Sequence, residues 1–131
     1  MMEQSPRLRR LRILIVDDNR DSAESLQTIL ELEGHQAVAS FSGLEALEIA
    51  EHLSPELVIL DIAMPGMDGF ETARKLRALA GSRDLKLIAL SGWGSAANDA
   101  RITAAGFSLH LVKPVDFAQL NAIVAQFASV Q

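Results

Sequence analysis

Cysteine is absent from the chain, which removes a disulfide framework, a thiolate metal site and a cysteine nucleophile together. Long apolar runs are absent as well. Nothing approaches the roughly 18 to 20 residues that cross a bilayer, and the N-terminus is polar and Arg-bearing with no apolar signal core. The sequence therefore predicts a cytoplasmic protein with no membrane partner. Positive charge is scarce: 12 Lys and Arg stand against 17 Asp and Glu, for a net charge of -5 and a pI near 5.1. Direct nucleic-acid binding rests on clustered cations meeting phosphates, so this balance argues against it. The one basic cluster, Arg7, Arg9, Arg10 and Arg12, precedes the first predicted strand; it reads as solvated, with a partner or anionic surface contact as the alternative, and residues 1–11 read as a basic N-terminal tail. Internal repeats and low-complexity linkers are missing too.

What is present is a chain of 131 residues, 49% hydrophobic and 22% charged, which suits one core and leaves little for a second, so residues 12–131 read as one domain. Ile13 to Asp17 is a β-branched run ending in acids, the pattern of a buried parallel strand whose end opens onto a site. From Asn19 the spacing turns helical, with Ala23, Leu26, Ile29 and Leu30 on one face and Gly34 at the end. A strand at Gln36 to Ser40 follows. Ser42 then caps a helix predicted to carry Leu44, Leu47, Ile49 and Ala50 inward until Pro55 stops it. Leu57 to Leu60 is a third apolar run, ending at Asp61, and a Pro-Gly loop leads from it into a helix reaching about Ala80. Leu85 to Leu90 is a fourth strand, ending at Ser91. A helix from about Ser95 to Ala105, a strand at Leu109 to Val112 and a helix from Asp116 to about Ala128 complete five βα units. Such alternation predicts an α/β fold, a parallel sheet with helices on both faces.

In a sheet of that kind the loops at the carboxyl ends of the strands form the functional face. Asp17-Asp18, Asp61, Ser91 and Lys113-Pro114 all fall at such ends. Three carboxylates converging on one crevice raise one another's pKa unless a cation compensates them. Oxygen ligands with no His or Cys beside them point to Mg²⁺, with Mn²⁺ as a substitute. A carboxylate beside such an ion is suited to attack phosphorus. Lys113 would supply a second cation to a phosphoryl oxygen, the Ser91 hydroxyl would donate to another, and Gly92 leaves room for the group.

Val16-Asp17-Asp18-Asn19, then Asp61 followed by Met64-Pro65-Gly66-Met67-Asp68-Gly69, then Ser91-Gly92 and Lys113-Pro114, together resemble the response-regulator receiver domains of bacterial two-component and phosphorelay systems. Any one piece is common; the ordered set at the ends of the proper strands is specific, and the likeness spans nearly the whole chain from about Arg12. The resemblance implies a flavodoxin-like (βα)5 fold with strand order 2-1-3-4-5. It also implies Asp61 as phosphoacceptor, Mg²⁺ held by Asp18, Asp61 and the backbone carbonyl of Ala63, with Asp17 acting through water, and phosphoryl oxygens bound by Ser91 and Lys113. The partners it implies are a histidine kinase or histidine phosphotransfer protein and a downstream protein, met by the face of the fourth helix, fifth strand and fifth helix. The chain would be a signalling phosphoacceptor that catalyses its own phosphorylation and slow dephosphorylation, as monomer or phosphorylation-dependent dimer. The segment from Gly106 to Asp116 also resembles receivers fused to hybrid histidine kinases. Pro114 shapes the backbone, and relatives carry a cis bond before it. Asp68-Gly69 reads as turn and helix-cap chemistry rather than ligation.

Two departures from the family pattern stand out. Receivers usually place Tyr or Phe three residues before the lysine, as a switch partner to the Ser or Thr; here His110 occupies that position, predicting a weaker or pH-sensitive switch with Ser91, with a surface histidine as the alternative. Ala63 and Trp93, each two positions beyond an expected site residue, put apolar groups where many receivers carry polar ones, with simple loop packing as the alternative reading of Trp93. Three rival readings remain: a phosphohydrolase, which needs a second acid where Ala63 stands; a non-phosphorylated interaction module on the same fold; and a flavin protein, which needs a Ser/Thr-rich phosphate loop after the first strand. With little to orient a water, the aspartyl phosphate should be long-lived. An Ala63→Asn, Trp93→Glu variant should lose it about tenfold faster, a barrier change of about 1.4 kcal/mol, followed by mass spectrometry. An unchanged lifetime would contradict the role given to these positions.

Overall fold

The computed structural model describes residues 9–92 and 99–129. Its elements alternate in chain order: β1 (Arg12–Val16), α1 (Arg20–Leu32), β2 (Gln36–Ser40), α2 (Gly43–Leu53), β3 (Leu57–Asp61), α3 (Gly69–Ala80), β4 (Lys86–Ser91), α4 (Asp99–Ala104), β5 (Leu109–Val112) and α5 (Phe117–Ala128). The five strands pair in parallel in the order β2-β1-β3-β4-β5, as the resemblance implies. Where the fourth helix begins, Ser95 to Asn98, lies outside the described residues. Among the described residues no helix is long and apolar enough to cross a membrane.

The pleat of the buried strands divides the core. Leu14, Val16, Val58, Leu60, Leu87 and Ala89 face one layer, with α2, α3 and α4. Ile13, Ile15, Leu57, Ile59, Ile88 and Leu90 face the other, with α1 and α5. Both faces are covered, so the strands read as nearly continuous apolar runs. Helix starts are set by local chemistry: Asn19, Ser42, Asp68 and Asp116 each accept a backbone N–H three residues ahead. Glu45 reaches back to the Phe41 N–H at 2.7 Å, reinforcing the second of these caps.

The helix faces differ from the sequence reading in one respect. Leu44 is 59% exposed, and α2 instead buries Gly43, Ala46 and Ala50, with Leu47 and Ile49 half-buried. The reason is close packing: a Cβ at Gly43 would press on Thr72 Oγ1 and lie 3.0 Å from Met67 Sδ, so small residues form the contact face and Leu44 is turned outward. Ile29 of α1 is likewise only half-buried.

The basic cluster is not all solvated tail. Arg9 Nη1 lies 2.7 Å from Glu56 Oε2, and Arg12, the first residue of β1, donates through Nε to the Leu53 and Ser54 carbonyls. Burial pushes the Glu56 carboxyl upward, and its bonds to Arg9 and Arg12 more than reverse this, leaving it below the usual range. Leu11 is buried, and the Arg9 N–H bonds the Ala128 carbonyl at 2.8 Å, tying the chain before β1 to the end of α5. Arg7 lies outside the described residues.

His35 is buried, and its Nδ1 accepts the Leu11 N–H at 3.1 Å, which requires that nitrogen to be unprotonated. Burial pulls its pKa below the ordinary 6.5, opposed in part by Glu33. The unfolded chain therefore binds the proton more readily than the folded one. His35 adds stability that is complete above about pH 6.5 and is lost as pH falls through its lower folded-state pKa. Melting curves between pH 7.5 and roughly 5 should show a steeper loss in the native chain than in His35→Gln; parallel curves would contradict the assignment.

Candidate functional site

β1 and β3 are neighbours in the centre of the sheet, with Val16 opposite Leu60, so the acids that follow them emerge side by side. Asp17 is 0% and Asp61 4% exposed, whereas Asp18 is exposed. Each of the three offers one carboxylate oxygen, and the three atoms lie within 4.8 Å of one another. Opposite oxygens on an octahedral Mg²⁺ stand roughly 4.2 Å apart. The cluster is thus compact enough for one such ion. Oxygen-only donors suit a hard divalent cation.

The fifth strand brings the countercharge. Lys113 Nζ donates to Asp61 Oδ2 at 3.1 Å and lies 2.9 Å from Asp17 Oδ2, the latter an ion pair without hydrogen-bond alignment. The other oxygens are held by the backbone. Asp17 Oδ1 accepts the Asn19 N–H at 3.0 Å, and Asp61 Oδ1 accepts the Ala63 N–H at 2.9 Å. Burial first, and then the charge of Asp17, push the Asp61 carboxyl upward; the Ala63 N–H and Lys113 pull against this without cancelling it. On Lys113, burial works to lower the pKa, but the two carboxylates outweigh it and the net shift is upward. A further cation beside Asp61 would offset both the desolvation that burial imposes and the repulsion from Asp17.

Ser91 closes β4 beside this group. Its Oγ is buried and has no hydrogen-bond partner among the described residues, a costly state that a ligand oxygen would relieve. Its carbonyl accepts the Lys113 N–H at 2.7 Å, tying the two residues together. The peptide bond from Lys113 to Pro114 is cis. His110 stands on β5 level with Ala89, two residues in from the Ser91–Val112 pair, and is half-buried. Trp93 lies outside the described residues.

Two features were hidden in the sequence. The first is the role of Gly69, which supports Asp61 rather than merely turning the chain: a Cβ there would lie 2.5 Å from the Asp61 carbonyl oxygen and press harder still on Ile62 Cα. The start of α3 is thereby seated on the phosphoacceptor candidate's own backbone. The second is a cavity of about 680 Å³ beside the acids, with Asn19, Ser22 and Ser25 along one wall and Leu26, Pro114 and Val115 giving apolar cover. Only the one-turn spacing of the α1 residues hinted at it.

A family model described as the response regulator receiver domain matches residues 13–125. An uncharacterized 14.6 kDa protein of Leptolyngbya boryana is 36% identical over 120 residues, 92% of each chain. The response regulator MprA of Mycobacterium sp. (strain KMS) is 35% identical over 112 residues, 86% of this chain and 48% of MprA, so the chain spans about half of that relative. Among solved structures, the CheY-like response regulator receiver domain protein of Methanospirillum hungatei superposes with a TM-score of 0.81 at 30% identity, covering 93% of this chain and 94% of that one.

Gly69→Ala should force the Asp61–Ile62 backbone to shift and cost about 1–3 kcal/mol, the usual penalty of overpacking. Urea unfolding measures this directly, and a midpoint shift worth less than about 0.5 kcal/mol would show that α3 is not seated as described.

Proposed function

The chain belongs to the response regulator receiver domain family, and from that membership we propose that it accepts a phosphoryl group on Asp61 from the phosphohistidine of a histidine kinase or histidine phosphotransfer protein. A receiver domain is a signalling module rather than an enzyme acting on a separate substrate. The observation that carries the reading is the grouping of a buried carboxylate, a lysine ammonium 3.1 Å from it and a Ser91 hydroxyl with no hydrogen-bond partner among the described residues.

One oxygen of Asp61 forms the new O–P bond as the N–P bond of the donor breaks, and the electron pair of that bond returns to the donor imidazole. The Ala63 N–H orients Asp61 through Oδ1, leaving Oδ2, now held by Lys113, as the oxygen nearest the countercharge. As the phosphoryl group arrives, Lys113 transfers its contact to a phosphoryl oxygen, and Ser91 donates its hydroxyl proton to another. Asp18, Asp61 and the Ala63 carbonyl would hold Mg²⁺, with Asp17 acting through water; the ion supplies neutralisation of the negative charge carried by the transferring group. Loss of the Lys113–Asp61 contact and recruitment of Ser91 then shift the end of β4 and the adjoining β5, where His110 lies, and so alter the partner-facing surface. The setting consistent with such a donor is the cytoplasm.

Incubation with Mg²⁺ and acetyl phosphate should give a single phosphoryl adduct by intact mass, lost with EDTA and in Asp61→Asn. The His110 ring resonances should then differ between the two phosphorylation states by NMR. An adduct that persists in Asp61→Asn would move the acceptor elsewhere. Magnesium binding without any adduct from either acetyl phosphate or a phosphorylated histidine kinase would favour a non-phosphorylated interaction module on this fold.

A further inference from the structure

Between α3 and α4 lies a cavity of about 370 Å³ lined by Phe70, Arg74, Arg77, Arg101, Ala104 and Ala105. Three guanidiniums border it and, among the described residues, no carboxylate does, in a chain whose net charge is -5. None of the three arginines is ion-paired with a carboxylate among the described residues. Cations gathered this way repel one another, and the local potential attracts an anion.

Two of the three are fixed in place. Arg77 donates from Nη1 to the Leu85 carbonyl at 3.0 Å and from Nη2 to the Gly106 carbonyl at 2.8 Å. Gly106 permits this approach, since a Cβ there would come within 3.3 Å of Arg77 Nε and Nη2. Arg101 stacks its guanidinium over the Phe70 ring, 4.0 Å from the centroid, and Phe70 is itself buried edge-on against Phe107. Arg74 stands one turn before Arg77 on α3, where residues three apart share a face. The stacked face of Arg101 leaves its N–H edge available, and Arg74 is exposed with its full set of donors.

We propose that this cavity binds a diphosphate group, either free or carried on a small organic molecule. Guanidinium forks match phosphoryl oxygens in paired hydrogen bonds, and forks reaching in from two helices suit two linked phosphoryl groups better than one. Arg77, its donors partly engaged by carbonyls, contributes mainly charge. The volume falls at the small end of ligand pockets, and Ala104 and Ala105 leave an apolar wall for an organic carrier. The site is separate from the acidic crevice, with which it shares no lining residue. Phe70 nevertheless follows directly on Gly69, so the floor of this cavity and the support beneath Asp61 are consecutive residues.

The test is calorimetric titration of the full chain with pyrophosphate and, separately, with ADP. Both are run in EDTA and roughly 150 mM salt, so that neither magnesium-dependent binding at the acids nor weak surface attraction contributes. The expected result is saturable one-to-one binding that weakens at least about tenfold in Arg74→Gln and in Arg101→Gln and is retained in Asp61→Asn. Arg74 is exposed and makes no structural bond described above, so its variant carries the test even if the loss of Arg101 from Phe70 disturbs folding. Tighter binding of ADP assigns an organic carrier, and equal affinity assigns the bare diphosphate. Absence of saturation up to roughly 5 mM of both ligands, unchanged affinity in Arg74→Gln, or loss of binding in Asp61→Asn would each overturn the proposal.

Discussion

The Lys113 ammonium, placed between the carboxylates of Asp17 and Asp61, is the contact around which the carboxyl end of the sheet is built. Removing two carboxylates from water costs several kcal/mol per ion unless a countercharge is held close. The acids follow or end the central strands β1 and β3, and the lysine follows the edge strand β5, with β4 between. The pairing of charges therefore exists only when three successive strand registers are correct. Those same registers align the apolar side chains of both core layers, so packing and site are specified together.

Around Asp61 the backbone has little freedom. Ile62 donates to the Leu90 carbonyl at 3.0 Å, Ala63 donates to the Asp61 side chain, and α3 presses through Gly69 on the peptide between them. Close-packed contacts of this kind pass displacement on instead of absorbing it. Ser91 is different. Its carbonyl is tied to Lys113 while its hydroxyl is unsatisfied, so it is the member of the group whose bonding has most to gain from a newly arrived oxygen.

Much of this was legible in the sequence, for a physical reason: a parallel strand buried on both faces shows as an apolar run, and a polar residue at its end has few roles other than a site. Asp17, Asp61, Ser91 and Lys113 were singled out in that way, and the structure brings them together at the carboxyl end of the sheet. Leu44 was misplaced because helical periodicity cannot tell which of two adjacent faces meets a neighbour. What decided it was the close approach of Thr72 and Met67 to Gly43, a contact between distant segments. Arg9 and Arg12 looked like a solvated run because their partners, Glu56 and the Leu53 and Ser54 carbonyls, lie more than forty residues away. The arginines of α3 and α4 carry no local signal either, since each alone resembles an ordinary charged helix surface.

The bond from the Arg9 N–H to the Ala128 carbonyl brings the two ends of the described chain together at the amino edge of the sheet, while the acids open at the carboxyl edge. The domain is thus nearly a closed ring with a polarity. A segment continuing past either end of the described residues would leave from the same pole, opposite the one at which the acids open. Closing the ring with a short linker and cutting a surface loop instead would leave the strand order intact, so circular permutation would separate the geometry of attachment from that of signalling.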